Sequence, residues 1–304
     1  MIRTAMNEVI IFDVATGQDL KTFEDEFNVR KENPMPNHIQ CLQVLDENNV
    51  IVFSDDPIIK QFDLTTGQVV KRFMGHIKTQ DVVSKCEMGV CWGEIISQNR
   101  LVSCGWDKTI RVWSLETAEC IRLLKGHTLR VIRVKELPNE QLISTSEDKT
   151  LKLWNIFSGK CSKTFVGHEA GVRCIAILPN NRVVTGSDDC SLRVWDLNRA
   201  DSLVILKGHV HRITCVEVLP NNQKICSASE DTTLRIWDAN KYTCIRKIVA
   251  HSMLVWTLKI ISNDKAISGG VDIDGFEQTM KVWDLNSGKC MKTIHELNNF
   301  IQSF

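Results

Sequence analysis

The sequence predicts an all-β fold of seven small antiparallel sheets, each of four strands, repeated along a single domain. Three observations predict it. Trp113, Trp154, Trp195, Trp237 and Trp283 recur at spacings of 41, 41, 42 and 46 residues, each closing an apolar run. Extending the register backwards by 51 and then 50 residues reaches Phe62 and Phe12, each followed by Asp, as are Trp195, Trp237 and Trp283. A period of this length marks stacked supersecondary units. Within each unit, turn residues separate four apolar segments, and repeated four-stranded antiparallel units make a seven-bladed β-propeller.

Residues 127–166 show one unit most clearly. Apolar residues alternate through Val131–Val134, Leu142–Ser146, Leu151–Trp154 and Cys161–Phe165, giving strands a, b, c and d. Pro138-Asn139, Glu147-Asp148-Lys149 and Ser158-Gly159 supply the reversals between them. The same division places units at about 39–75, 89–125, 127–166, 168–207, 209–249 and 251–294. Aligning Phe12 with Trp154 gives the first unit, residues 1–23, strands b (Met1–Ala5), c (Glu8–Asp13) and d (Asp19–Phe23) but no strand a. Residues 298–304 are expected to supply it. The C-terminal strand would then pair with the N-terminal three, closing the seventh blade and leaving no sheet edge open. The alternative is that the sequence is a piece of a longer chain.

A polar quartet recurs at fixed offsets. It comprises His127, Ser144, Asp148 and Trp154; His168, Thr185, Asp189 and Trp195; and His209, Ser227, Asp231 and Trp237. With insertions it returns as His76, Ser103, Asp107 and Trp113, and as His251, Ser268, Asp272 and Trp283. A buried indole N–H needs an acceptor, which the hydroxyl supplies; the hydroxyl can bond the imidazole, and the imidazole the carboxylate. The quartet satisfies itself, so a structural role is expected. Ser, His and Asp also make hydrolase triads. Five copies at one spacing, without a Gly-x-Ser-x-Gly elbow, argue against catalysis, and no catalytic residue is assigned.

The chain resembles the WD-repeat β-propeller family through Gly75-His76, Gly126-His127, Gly167-His168 and Gly208-His209, the turn Asp six residues before Trp, and the Trp-Asp ends. Its regular units look most like those of F-box WD-repeat proteins. The likeness weakens at Phe12 and Phe62, which replace Trp. The resemblance implies that the d-to-a connections and b-to-c turns emerge on one face, and that the quartet is a structural network.

Composition narrows the functional classes. Thirty-seven basic and 37 acidic residues cancel, so net charge offers nothing to nucleic acid or an anionic membrane surface. No apolar run approaches a membrane span. Of twelve cysteines, Cys120, Cys161, Cys244 and Cys290 each lie seven residues after the unit's Trp, and no C-x-x-C occurs. They read as strand residues, with no metal or cofactor expected and a reducing compartment, cytoplasm or nucleus, as the setting.

Function is expected on loops carried by the scaffold. Three segments depart from the regular length: Glu24–His38, Ile77–Met88 and Ile273–Glu277. Tolerated drift of surface loops produces such insertions too. In related propellers, partners touch the residue before the turn Asp and the residue after the first apolar position of strand a. Here the first set is Asp55, Trp106, Glu147, Asp188, Glu230 and Val271. The second is Gln40, Cys91, Ile132, Arg173, Thr214 and Trp256, with Phe300 in the last unit. Four acids against one arginine, with Trp106 and Trp256 as apolar anchors, suggest a protein peptide or loop carrying Lys or Arg. The expectation is a non-catalytic scaffold within a multiprotein complex. The alternative is the substrate-recognition propeller of a ubiquitin ligase, which would want arginines such as Arg130, Arg173 and Arg212 for a phosphorylated segment.

Overall fold

The protein is described from a computed structural model, over residues 2–5, 8–12, 19–24, 39–77, 79–80, 87–272 and 277–297. Strands β1 (Ile2–Ala5), β2 (Glu8–Phe12) and β3 (Asp19–Glu24) pair in sequence order as a three-stranded sheet. The next sheet is β4 (Ile39–Val44), β5 (Asn49–Ser54), β6 (Ile59–Asp63) and β7 (Val69–Phe73). A two-stranded hairpin, β8 (Thr79–Gln80) with β9 (Glu87–Met88), precedes β10 (Val90–Ile96), β11 (Arg100–Gly105), β12 (Thr109–Ser114) and β13 (Cys120–Lys125). Then come β14 (Val131–Leu137), β15 (Gln141–Ser146), β16 (Thr150–Asn155) and β17 (Cys161–Val166), followed by β18 (Val172–Leu178), β19 (Arg182–Ser187), β20 (Ser191–Asp196) and β21 (Asp201–Lys207). The last two sheets are β22 (Ile213–Val218), β23 (Lys224–Ser229), β24 (Thr233–Asp238), β25 (Cys244–Val249), and β26 (Leu254–Ile260), β27 (Lys265–Asp272), β28 (Glu277–Asp284), β29 (Cys290–Leu297).

Four-stranded antiparallel blades are therefore the building unit, but among the described residues there are six of them and not the seven that the sequence suggested. The first unit contains segments for strands b, c and d alone, and these pair as a three-stranded sheet. Residues 298–304, expected to close that sheet with a fourth strand, lie outside the described residues. The Trp and Phe period counts c strands, and a c strand does not guarantee a complete blade. Among the described residues no helix is long and apolar enough to cross a membrane.

Two compact units divide the chain, one built on Met1–Ser144 with Leu153–Ser162, the other on Thr145–Lys152 with Lys163–Ile301. In both, burial falls from strand b to strand d. β11 is buried at every position and β19 at all but its first. By contrast β13 is exposed at all but one position, and β21 alternates exposed with partly or fully buried residues. Strand b has both faces covered, whereas strands a and c mix buried with partly exposed positions. Cysteines follow the same gradient: Cys41, Cys104, Cys174 and Cys226 are buried, while Cys120, Cys161, Cys244 and Cys290 open the outer strands and are exposed.

Blade-to-blade packing in the first unit tolerates no side chain at Gly93. A Cβ there would lie 1.9 Å from Cε1 of Phe53, a fully buried ring in the cluster around Cys41, Ile59 and Trp113. Gly93→Ala is expected to cost about 1 to 3 kcal/mol, because the ring has no vacant volume to enter. An unchanged urea midpoint would contradict this packing.

Candidate functional site

In each quartet the indole and the imidazole meet on one hydroxyl. In the β10–β13 blade, Trp113 Nε1 donates to Ser103 Oγ at 2.8 Å, His76 Nε2 lies 2.7 Å from the same hydroxyl, and His76 Nδ1 lies 2.9 Å from Asp107 Oδ2. The β18–β21 blade repeats it: Trp195 to Thr185 at 2.8 Å, His168 to Thr185 at 2.8 Å, and His168 to Asp189 at 2.7 Å. So does the next, with Trp237 to Ser227 at 2.9 Å, His209 to Ser227 at 2.8 Å and His209 to Asp231 at 2.8 Å. In the last blade His251 bonds Ser268 at 2.8 Å and approaches Asp272 at 3.3 Å, with Trp283 donating to Ser268 at 2.8 Å. His127 and Trp154 meet at Ser144, each at 2.8 Å, while Asp148 Oδ1 accepts from Thr150 Oγ1 at 2.6 Å.

The hydroxyl accepts the indole N–H, and with a neutral imidazole it gives its own proton to Nε2 while Nδ1–H faces the carboxylate. Neutral imidazole fits the environment: burial depresses the His76, His209 and His251 pKa against the opposing pull of their aspartates. Burial alone would raise Asp107, Asp189 and Asp231, but their histidine bonds and turn hydroxyls hold them below the usual carboxylate range. The second oxygen of each Asp shapes the turn above it. Asp189 Oδ1 accepts from Ser191 N and Oγ at 2.9 and 2.6 Å, bracketing Cys190 at φ 67°. Thr109 and Thr233 close on Asp107 and Asp231 in the same way around Lys108 at φ 64° and Thr232 at φ 72°. Every quartet hydroxyl has zero solvent exposure. Each of these oxygens is bonded to both an indole and an imidazole.

The surface residues are set by a second device. Five of the a strands carry a β-bulge near their start: the pairing register slips across Gln40, Cys91, Arg173, Thr214 and Trp256. A bulge leaves one residue outside the ladder and re-aims its side chain. Two of these reach the residue before the turn Asp. Gln40 Nε2 donates to Asp55 Oδ1 at 2.8 Å, and Arg173 Nε donates to Asp188 Oδ1 at 2.7 Å. Elsewhere Thr214 Oγ1 donates to Val255 O at 2.8 Å and Trp256 is 39% exposed, while Ile132, which is not one of these five, is buried. Phe300 lies outside the described residues, as do most of Glu24–His38 and residues 81–86 and 273–276 of the other insertions.

In the second unit the expected charges come together. Asp188 is flanked by Arg173 at 2.7 Å and by Arg212 at 4.0 Å, and Arg212 also lies 3.9 Å from Glu230. Burial would lower the Arg173 pKa, but the bond to Asp188 and the fields of Asp188, Glu147 and Glu230 raise it. Three carboxylates thus surround two guanidiniums. In the first unit, Trp106 is covered by Arg130, whose Cζ sits 4.3 Å from the ring centroid, and Arg133 stacks likewise on Trp92 at 4.1 Å. These arginines come from a d-to-a connection and strand a of the following blade, and no sequence spacing marks such a contact.

Comparison with known proteins agrees with this architecture. The profile of the WD domain, G-beta repeat, matches residues 67–114, 118–155, 159–196 and 200–238, more than half of the chain. WD repeat-containing protein pop2 of Schizosaccharomyces pombe is 32% identical over 103 residues, covering 34% of this chain and 13% of pop2. Cell division control protein 4 of Saccharomyces cerevisiae is 32% identical over 107 residues, 34% of this chain and 12% of that protein. Myosin heavy chain kinase C of Dictyostelium discoideum is 30% identical over 83 residues, covering 27% of this chain and 9% of the kinase. The matched region thus spans about a tenth of these relatives' length. The crystal structure of the computationally designed Ika8 protein superposes with a TM-score of 0.72 over 95% of this chain and 81% of Ika8, at 23% identity, which shows a shared fold. With its repeated blades, its indole–hydroxyl–imidazole–carboxylate relays and this profile match, the chain belongs to the WD-repeat β-propeller family, whose members generally serve as non-catalytic protein-interaction scaffolds.

Proposed function

We propose that this scaffold engages a peptide or loop carrying Lys or Arg, as a subunit of a multiprotein complex, through its b-to-c turns and strand-a bulges. The observation that carries this reading is the cluster of Glu147, Asp188 and Glu230 around Arg173. Arg173 is a fixed part of it, bonded at 2.7 Å. Arg212 is not: its side chain is 55% exposed and its two ion pairs are 3.9 and 4.0 Å long. Long, solvated pairs contribute little, so a partner's cation can displace Arg212 from Asp188 and Glu230 at small cost. A guanidinium arriving there would gain a bidentate carboxylate in a partly desolvated setting. In the first unit the indole of Trp106, under Arg130, offers a flat apolar contact of the kind enriched in interface cores.

The second reading, a ubiquitin-ligase substrate receptor for a phosphorylated segment, is favoured by one observation: Arg173 and Arg212 converge on a single carboxylate oxygen. A phosphate would turn both toward itself. Peptide binding by fluorescence polarisation separates the two. On the first reading, basic peptides bind the wild type and lose at least about tenfold in affinity to Glu147→Lys/Glu230→Lys. Preference for phosphopeptides, abolished by Arg212→Glu and spared by the double variant, would replace the first reading with the second.

A further inference from the structure

The a strands of the first unit hold a guanidinium that has no carboxylate partner among the described residues. β4, β10 and β14 lie side by side: Cys41 Sγ donates to Gly93 O at 3.6 Å, Arg133 Cζ sits 4.1 Å from the Trp92 ring centroid, and Lys135 Nζ lies 2.7 Å from Glu94 Oε2. Cys41, Trp92 and Arg133 occupy one register position of the repeat, and Gln43, Glu94 and Lys135 the position two residues on. In the second unit the first position holds Cys174, Cys215 and Thr257, and the other holds Ala176, Glu217 and Lys259. β14 alone therefore carries an arginine there.

Arg133 is partly buried, and its bonds leave one edge unused. Nη1 donates to Ile132 O at 3.0 Å, and the indole of Trp92 covers one face. The Nε and Nη2 edge remains, and that edge is the fork that matches both oxygens of one carboxylate. Both acids of β10 and β14 are engaged elsewhere. Glu94 pairs with Lys135, while Glu136 accepts from Ser97 N at 2.9 Å and lies 3.9 Å from Arg100. The buried thiols nearby are not counter-ions either. Burial pushes the Cys41 thiol up to about 11 and Cys104 well above the ordinary thiol value, against the pull of Arg133, so both are neutral at physiological pH. Trp92 Nε1, in the ring that meets this cation, is itself buried with no hydrogen-bond partner. Two side chains of one stack thus keep unmet donors, where buried donors are normally paired.

We propose that the free edge of Arg133, backed by Trp92, is a binding site for a carboxylate group. The local charge selects the ligand. Arg133 and Lys135 against Glu94 leave one positive charge, which a carboxylate cancels and a phosphate dianion would overshoot. A guanidinium already held on an indole loses little rotamer freedom on binding, so the fork is pre-organised. The group can belong to a small organic acid or to an Asp or Glu of a polypeptide. None of Glu147, Asp188 and Glu230 takes part, so this site stands or falls independently of the basic-peptide reading.

Titration of the full chain followed by proton–nitrogen correlation spectra tests this. Arg133→Lys and Trp92→Phe assign the Arg133 Nε–H and Trp92 Nε1–H resonances. Sodium acetate should move both saturably, with a Kd of about 1 to 10 mM, the range open to a single forked ion pair in a partly solvated place. Sodium chloride at equal ionic strength should not. Arg133→Gln should raise the Kd read at Trp92 Nε1 by at least about tenfold, with the remaining resonances in place to show that the variant is folded. Arg133→Lys keeps the charge without the fork and should weaken binding by at least about threefold. The α-amide of N-acetylglutamate identifies the source of the group. Binding at least about tenfold tighter than acetate assigns it to an acidic residue of a polypeptide, and equal binding assigns it to a free acid. Shifts that never saturate, an equal response to chloride, an unchanged Kd in Arg133→Gln and Arg133→Lys, or tighter binding of inorganic phosphate than of acetate would each overturn the proposal.

Discussion

Trp195→Ala is expected to destabilise the protein by about 3 to 5 kcal/mol, the largest effect of any side-chain truncation in the relays. The indole is fully buried. It stands edge-on to Phe165, with centroids 6.0 Å apart and planes at 81°, and lies 5.8 Å from the His168 ring. A Cβ added at Gly167 would sit 3.0 Å from its Cη2, so the glycine of the Gly-His pair is the floor on which the ring rests. Removing the ring leaves a cavity walled by rigid strands, which cannot collapse into it, and takes away the donor that Thr185 Oγ1 accepts at 2.8 Å. Trp195→Phe separates the two losses. It retains most of the apolar volume but no N–H, and is expected to cost about 1 to 2 kcal/mol. Thr185→Ala should lie near or above that, because it strands two buried groups, the indole N–H and the imidazole Nε2. Urea midpoints of the three variants give the ranking. A Trp195→Ala midpoint close to wild type would remove the relay from any structural role.

Much of this was legible in the sequence because a hydrogen-bond relay has a fixed reach. Indole, hydroxyl, imidazole and carboxylate must meet at 2.7 to 2.9 Å in the β18–β21 and β22–β25 blades, so the chain must return to the same place after nearly the same number of residues. His168, Thr185, Asp189 and Trp195 are therefore visible as offsets. The blade count misled, since the Phe12 unit keeps the period yet pairs three strands among the described residues. The bulges were invisible. Gln40, Cys91, Arg173, Thr214 and Trp256 share no chemistry, and what unites them is a one-residue slip in pairing that leaves no compositional mark. The cover of Arg130 over Trp106 was equally hidden, because it joins the turn of one blade to the entry of the next.

Acidification tests which of two opposing forces governs the relay histidines. Burial pushes the His251 pKa down from its ordinary 6.5 to about 4, while Asp272 pulls it up and Lys281, bonded to that aspartate at 2.8 Å, pushes it further down. If desolvation wins, the unfolded chain binds a proton between pH 6.5 and about 4 that the folded chain refuses. Protons then favour unfolding, so stability is full above pH 6.5 and falls as pH drops through this window. For His251 alone the loss should reach about 2 kcal/mol by about pH 5. His76 and His209, depressed for the same reason, add to the slope. Below the ordinary carboxylate pKa a second decline begins, as Asp107, Asp189, Asp231 and Asp272, all held low by their relay or turn partners, are forced to take protons. Urea unfolding at about pH 7.5, 6 and 5 measures the first decline, and His251→Asn should flatten part of it while lowering stability at the highest pH. Were pairing with Asp272 dominant, the folded imidazole would bind its proton more tightly than the unfolded one, and stability would rise as the pH fell through the same range. That opposite slope would mean the relay holds an imidazolium, with Nε2 donating to the hydroxyl instead of accepting from it.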